Sequence, residues 1–338
     1  MCIFVFEIVK GMIIRDQLSS LDAVDLNFGG GTGLVMSIVL ALIMFGIALG
    51  IKPSSLKDVF VHPKSILTGV VLQWIGLPVV TFLLIMVLHP MLTPMVCLGM
   101  ILVASCPGGN ISNFMSSFSK GNVELSVSMT AVATVCAQLI TPLNFWAWGN
   151  LYLKFASRTD LVIPQITIPF GEIFKTVFII LAIPIVLGIL FAKYFPKATE
   201  KIKKPFSIFS IAVFIVMVLG MFIPNWQLFV KYIVFIFVLV LIHNACAFGT
   251  GWGGASLMKL PRRDRRSITI EVGIQNSGLG LTLLLNPEFT DKLFSAAIAS
   301  GAEIQFGGML FVTAWWGIWH IISGLTLSTI FRKHELPE

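Results

Sequence analysis

Cys106-Pro107-Gly108-Gly109-Asn110 and Glu271-Val272-Gly273-Ile274-Gln275-Asn276-Ser277-Gly278 place helix breakers and polar groups inside otherwise apolar stretches, one in each half of the chain. Hydrocarbon offers a freed N–H or C=O no partner, so irregular backbone at membrane depth survives only where protein buries it or where it lines a cavity. Two such breaks point to one binding site shared between them near the bilayer midplane, as in a secondary transporter. A simple membrane anchor needs neither.

Outward from the breaks, the chain is built for the bilayer. Hydrophobic residues make up 57% of its 338 residues and charged residues 12%, and mean hydropathy is +0.94. That leaves too little polar surface for a soluble globular domain. A span needs about 20 apolar residues to cross a hydrocarbon core of roughly 30 Å. Nine stretches qualify, near residues 32–51, 65–88, 93–119, 122–150, 170–192, 206–223, 228–251, 267–286 and 307–331. The expected class is an all-α polytopic membrane protein. Met1 to Ile14 carries Glu7 and Lys10 within its apolar run and lacks a small-residue cleavage site before Leu21, so it is expected to stay attached. Cys2, Cys97, Cys106, Cys136 and Cys246 are scattered without the spacing of a metal site or disulfide framework, and read as packing residues.

The net charge of +7 follows topology. Most of the Lys and Arg fall at Lys52, Lys57 and Lys64, at Lys120, between Lys193 and Lys204, between Lys259 and Arg266, and at Arg332 and Lys333. These loops share one side of the nine-span threading. The positive-inside rule makes that side cytoplasmic, with the first span starting outside and the C-terminus inside. The run Arg262-Arg263-Asp264-Arg265-Arg266 then sets topology, and neither nucleic acid nor a protein partner is expected. The expected location is a bacterial inner membrane, as no eukaryotic targeting signal is read in the chain.

Residues 170–333 hold five spans, the fourth broken at 271–278. Residues 31–157 hold four, the third broken at 106–110. Inverted repeats need odd-numbered sets, so residues 1–30 are expected to supply a short helix over Cys2–Ile14 that makes a tenth span. Its 13 residues are few for a crossing, and an interfacial or buried helix is the other reading. Residues 158–169 read as an external connector, 334–338 as a cytoplasmic tail, and Asn286 to Gly307 as an extracellular loop with a short helix.

At about 1.5 Å per residue, a group nine or ten positions into a span lies near mid-bilayer. Gln73 is nine residues from Lys64, Asn276 is ten from Arg266, and the first break lies at similar depth. Glu271 stands out, because a carboxylate in a span costs roughly 3 kcal/mol and faces a cavity or a cation. The structural alternative is an ion pair with Arg266. Gly273 and Gly278 weaken the helix beyond Glu271 and can free the carbonyls of Val272 and Ile274, oxygen ligands that suit a hard cation. Ser126, Thr130 and Thr134 share one helix face with Gln138. Ser112 and Asn113 open the half-helix after the first break, whose amino end suits an anion. His243, Asn244 and His320 read as interhelical hydrogen bonders, and Gly249, Gly251, Gly253 and Gly254 as close-packing positions.

Cys106-Pro107-Gly108-Gly109 with Ser112-Asn113, His243-Asn244, Asp264-Arg265-Arg266, Glu271 to Gly280, and Trp319-His320 with Ser323-Gly324 together resemble the bile acid:sodium symporter family over nearly the whole chain. The resemblance implies an inverted-repeat transporter with panel and core domains, its two broken helices crossing in the core. It implies two Na+ ions. The first is held by Ser112, Asn113, Ser126, Thr130 and Glu271, and the second by Gln73, Glu271, Gln275 and the carbonyls of Val272 and Ile274. The implied activity is sodium-coupled symport of an organic anion of bile acid, pantoate or keto acid type by alternating access, with Asn110, Asn276 and His320 contacting the substrate. Asn110 stands where many relatives have Thr, and Ile321 follows His320 where many have Asn, so the cargo is expected to differ. A channel or sensor on the same scaffold is the alternative; a membrane-embedded enzyme has no His-Glu-x-x-His, Gly-x-Ser-x-Gly or paired aspartates to support it.

Overall fold

The computed structural model describes residues 15–16, 18–23, 32–51, 63–158, 166, 168–223, 226–302 and 305–334. Cys2–Ile14, Lys52, Lys57 and most of the 158–169 connector lie outside the described residues. Within them the regular elements are helices, with no strand. Six are long and apolar enough to cross a membrane: α2 (Pro63–Met91), α5 (Val123–Ala156), α6 (Phe170–Tyr194), α7 (Pro196–Phe222), α8 (Trp226–Leu257) and α13 (Gly307–Lys333). α1 (Thr32–Ala48) is apolar over 17 residues. Each interrupted stretch resolves into half-helices, α3 (Pro94–Ser105) with α4 (Ile111–Phe118), and α9 (Arg262–Gly273) with α10 (Ser277–Leu284).

Local chemistry accounts for the irregularities. Cys106 is extended, at φ −73° and ψ 156°, as the ring of a following proline demands. Within α2, Pro78 has no N–H for the Trp74 carbonyl, the helix widens into a π turn over Leu72–Gly76, and Asn144 Nδ2 of α5 donates to Trp74 O at 2.9 Å. The π turn sets the direction of Gln73. The two breaks then satisfy each other: Gly109 N donates to Ile274 O at 2.8 Å, Asn276 N donates to Pro107 O at 2.7 Å, and Gly108 pairs with Gln275 in an isolated antiparallel bridge. Backbone groups freed at one crossing strand are thus paired by the other, which is how irregular chain is tolerated in a dry interior.

α1 packs on α6 and α7, while α2, the broken pairs, α5, α8 and α13 pack among themselves, with α5 touching α6. Only 6% of the apolar window of α7 is buried, so most of this helix is exposed apart from the face it turns to α1.

Several expectations shift. α7 starts at Pro196 rather than near 206, since proline fits the first helical turn and the Lys-rich stretch extends the helix at the surface; Pro205 lies inside it, leaving the Lys201 carbonyl without its helical donor. Asn286 to Gly307 is less an open loop than two short packed helices, α11 (Pro287–Leu293) and α12 (Ser295–Ala299), with Phe289, Leu293 and Phe294 buried. Of the four packing glycines, Gly251 abuts the Thr269 backbone and Gly254 the Leu72 side chain, but a Cβ on Gly249 or Gly253 would touch nothing.

Candidate functional site

Glu271 sits in the last turn of α9, fully buried. Its carboxylate accepts from two α5 hydroxyls one turn apart, Oε2 from Ser126 Oγ at 3.0 Å and Oε1 from Thr130 Oγ1 at 2.5 Å. Ser116 donates to Ser126 Oγ in turn, at 3.1 Å. The ion pair with Arg266 does not form: that guanidinium donates to Ser119 O and His334 O and lies against the Phe331 ring. Glu271 is therefore a buried carboxylate served by neutral donors alone.

Counting protons shows what the cluster lacks. Thr130 has one hydroxyl proton, which the 2.5 Å contact to Glu271 takes, so its approach to Asn113 Oδ1 at 3.3 Å sets two oxygens face to face. The buried Ser112 hydroxyl faces the same carboxylate as a third donor, in looser geometry than Ser126 and Thr130. On the other side Gln73 Nε2 donates to Glu271 O at 3.1 Å and Gln275 Nε2 to Val272 O at 2.8 Å, while both Oε1 atoms are buried without a partner. Unpaired buried oxygens around a buried anion are costly unless a cation completes them. Ser112, Ser126 and Thr130 thus gather at the Glu271 carboxylate with Asn113 beside Thr130, while Gln73 bonds the Glu271 backbone carbonyl and Gln275 that of Val272. Of the two backbone oxygens expected beside them, Val272 O takes the Gln275 amide and Ile274 O the Gly109 N–H, each keeping a second lone pair. Thr134 is buried on the same α5 face, and Gln138 turns back to Val135 O.

Gly108 is wedged against the Glu271 carboxylate and the Gln73 amide. A Cβ there would lie 2.7 Å from Glu271 Oε1 and 2.8 Å from Gln73 Nε2. Only glycine lets the crossing strand pass so close to the carboxylate.

In front of the crossing lies a cavity of about 340 Å³, walled by Ile43 and Ile47 of α1, Ser207 and Ser210 of α7, and His320 and Ile321 of α13. The amino ends of α4 and α10 open into it through Asn110, Ile111, Asn276 and Ser277, and among the described residues no charged side chain lines it. Asn276 Oδ1 caps α10 by accepting from Leu279 N at 3.0 Å, so its Nδ2 is the group left for the cavity. The Asn110 side chain makes no capping bond. The three substrate candidates, Asn110, Asn276 and His320, share this one wall.

The α1 and α7 wall was not foreseen from sequence. Ser207 and Ser210, polar at i, i+3 in an exposed apolar helix, are the signal that marks it. His243 behaves as a helix-interface group, bonding Thr81 Oγ1 at 2.7 Å. Asp264, in the first turn of α9, accepts from Ser65 Oγ of α2 and from Nδ2 of Asn122, the N-cap of α5, and so ties together the starts of three helices.

The profile of the Sodium Bile acid symporter family matches residues 37–232. The chain is 30% identical over 299 residues to a Bacillus subtilis (strain 168) protein named "Uncharacterized sodium-dependent transporter YocS", across 88% of this chain and 83% of that one. It is 29% identical to the rice (Oryza sativa subsp. japonica) "Probable sodium/metabolite cotransporter BASS1, chloroplastic", covering 82% of this chain and 63% of the relative. It is 32% identical to the Bos taurus "P3 protein", covering 68% and 46%. The chain thus spans most of the bacterial relative and about half to two thirds of the other two.

Proposed function

The chain belongs to the sodium bile acid symporter family, and we propose that it is a secondary transporter, not an enzyme, that couples inward sodium movement to uptake of an organic anion by alternating access. The observation that carries this reading is one fully buried carboxylate, Glu271, met only by neutral hydroxyls, with the Oε1 atoms of Gln73 and Gln275 buried and unpartnered near it. One Na+ takes Ser112, Asn113, Ser126, Thr130 and Glu271. A second takes Gln73, Glu271, Gln275 and the second lone pairs of the Val272 and Ile274 carbonyls. Sharing Glu271 places two positive charges against one carboxylate. The surplus makes the two half-helix amino ends still more favourable for an anion in the cavity.

Among the described residues, α1, α6 and α7 form the panel and the remaining helices the core, with nine spans between them. The first five-helix repeat is completed by the N-terminal segment, and the protein sits in the cell membrane with its C-terminus inside. The cargo's carboxylate docks between the amino ends of α4 and α10, with Asn110, Asn276 and His320 as donors, and its apolar body lies against Ile43 and Ile47. Cargo and sodium stabilise the same arrangement of the crossing, so each raises the other's affinity.

Thermal stabilisation of the purified protein by bile acids, pantoate and keto acids, in sodium or potassium, tests this. The expected shift appears with one anion class in sodium only, and is lost in Glu271→Ala. Equal shifts in potassium would overturn sodium coupling.

A further inference from the structure

The two carbonyls proposed for the second sodium ion flank a third, Gly273 O, which has lost its helical partner. Ser277 N, the donor four residues on, goes to Gln275 O instead at 2.9 Å. The buried amide of Asn244 on α8 replaces it, donating Nδ2–H to Gly273 O at 2.8 Å. Asn244 Oδ1 accepts the hydroxyl of Ser323 on α13 at 2.5 Å. Because Gly273 O can only accept, the amide has one workable orientation, and Ser323 locks it. α8 reinforces the grip along a single stripe: a Cβ on Gly273 would lie 2.1 Å from the Phe248 ring, and a Cβ on Gly251 2.7 Å from Thr269 Cα. Asn244, Phe248 and Gly251 stand at i, i+4 and i+7, one face of α8 held against α9. Ser323 Oγ also approaches His320 O at 3.3 Å, within the helix that walls the cavity.

We propose that Asn244 is a positioning residue for sodium. By fixing the Gly273 peptide it sets the direction of the Val272 and Ile274 carbonyls, and Ser323 holds Asn244 and ties that setting to the cavity wall. Successive carbonyl directions are linked through shared φ and ψ, so a Gly273 peptide free to rotate turns its neighbours away from the ion. The inference rests on the sodium reading of the Glu271 cluster.

The experiment measures half-saturating sodium by thermal stabilisation and by uptake, for Asn244→Asp, Ser323→Ala, Ser323→Thr, Thr81→Val and Glu271→Gln. Asn244→Asp keeps the shape but removes the donor. It is expected to raise half-saturating sodium about tenfold, the size of one lost buried hydrogen bond, with the anion half-saturation at saturating sodium unchanged. Ser323→Ala raises it a few-fold, and Ser323→Thr, which keeps the hydroxyl, restores it. Thr81→Val breaks the equally buried bond to His243 and is expected to lower stability without moving sodium affinity. Wild-type sodium affinity in folded Asn244→Asp, or an equal shift in Thr81→Val, overturns the positioning role. If Asn244→Asp does not fold, Ser323→Ala decides, and unchanged sodium affinity there overturns the role equally. Glu271→Gln separates the two levels: sodium dependence surviving in that variant removes the ion reading itself, whereas its loss beside a wild-type Asn244→Asp removes only this inference.

Discussion

Behind the crossing, buried Glu271 is met by polar side chains from α2, α4 and α5. In front of it, the cavity is bounded by isoleucines, serines and two helix amino ends, with no charged group among its lining residues. On the proposed reading, the rear region specifies its ion through side-chain identity, whereas the front specifies an anion through shape and backbone dipoles. Such a division would let one fold keep its ion while its cargo drifts.

The sharpest way to break that contrast is at Gly108, where the two regions meet. Gly108→Ala drives a methyl group into Glu271 Oε1 and Gln73 Nε2 from under 3 Å, so both sodium-dependent stabilisation and uptake are expected to vanish. Gly109→Ala would meet Gln275 O at 3.4 Å and the Ile274 side chain at 3.5 Å as its nearest atoms, ordinary contact distances, and is expected to keep at least a tenth of wild-type uptake. Equal loss in both would show that the break needs glycine for flexibility rather than for room.

Next in size is the loss of one oxygen at the rear. Thr130→Val keeps the shape and removes the 2.5 Å bond to Glu271. Half-saturating sodium is expected to rise ~10- to 30-fold, the roughly 1.5–2 kcal/mol of a hydrogen bond to a charged group, with the anion half-saturation at saturating sodium unchanged. At the front, His320→Ala is expected to do the reverse and more weakly, raising the anion half-saturation about fivefold, near 1 kcal/mol, and leaving sodium affinity alone. Sodium titrations and uptake kinetics on the two variants check both, and a His320 variant that shifts sodium affinity as far as Thr130→Val would dissolve the division.

The same contrast explains what could be read in the sequence. Glu271, Pro107 and the glycines of the breaks are chemically implausible in a bilayer unless they serve a site, so they announced themselves. Ser126 and Thr130 followed from helical spacing, and Gln73 from depth alone. Their assignment to two particular ions came from family resemblance, not from spacing. Pro78 hid its consequence, since nothing in the sequence says that Asn144 will take the carbonyl it frees and let α2 widen. The α1 and α7 wall was invisible for another reason: Ile43 and Ile47 look like any lipid-facing residues until the tertiary fold turns them inward. Asn244 looked like a helix-interface amide, which it is, but its partner on the broken helix emerged only once α8 and α9 were seen side by side.

The smallest expected effect lies outside both regions. Asp22, in the helical turn at residues 18–22, accepts from Thr93 Oγ1 at 3.1 Å, and its Oδ1 sits where a Cβ on Gly308 would be. Burial pushes its carboxyl up to about 7, against the lowering pull of the bonds from Thr93 and the Gly308 backbone. A folded pKa above the unfolded 3.8 means that the native state holds the proton more tightly. Its contribution to stability is full below the unfolded pKa, declines as pH rises toward 7, and is flat beyond. Between about pH 5 and about pH 8 the melting temperature of the wild type should therefore fall relative to that of Asp22→Asn, which carries no titrating proton. Asp22 bonds to neither the Glu271 cluster nor the cavity wall, so half-saturating sodium should be the same in the two proteins at each pH. A sodium affinity that tracked Asp22 would instead join this outer cap to the ion cluster, and the rear of the crossing would no longer be a self-contained site.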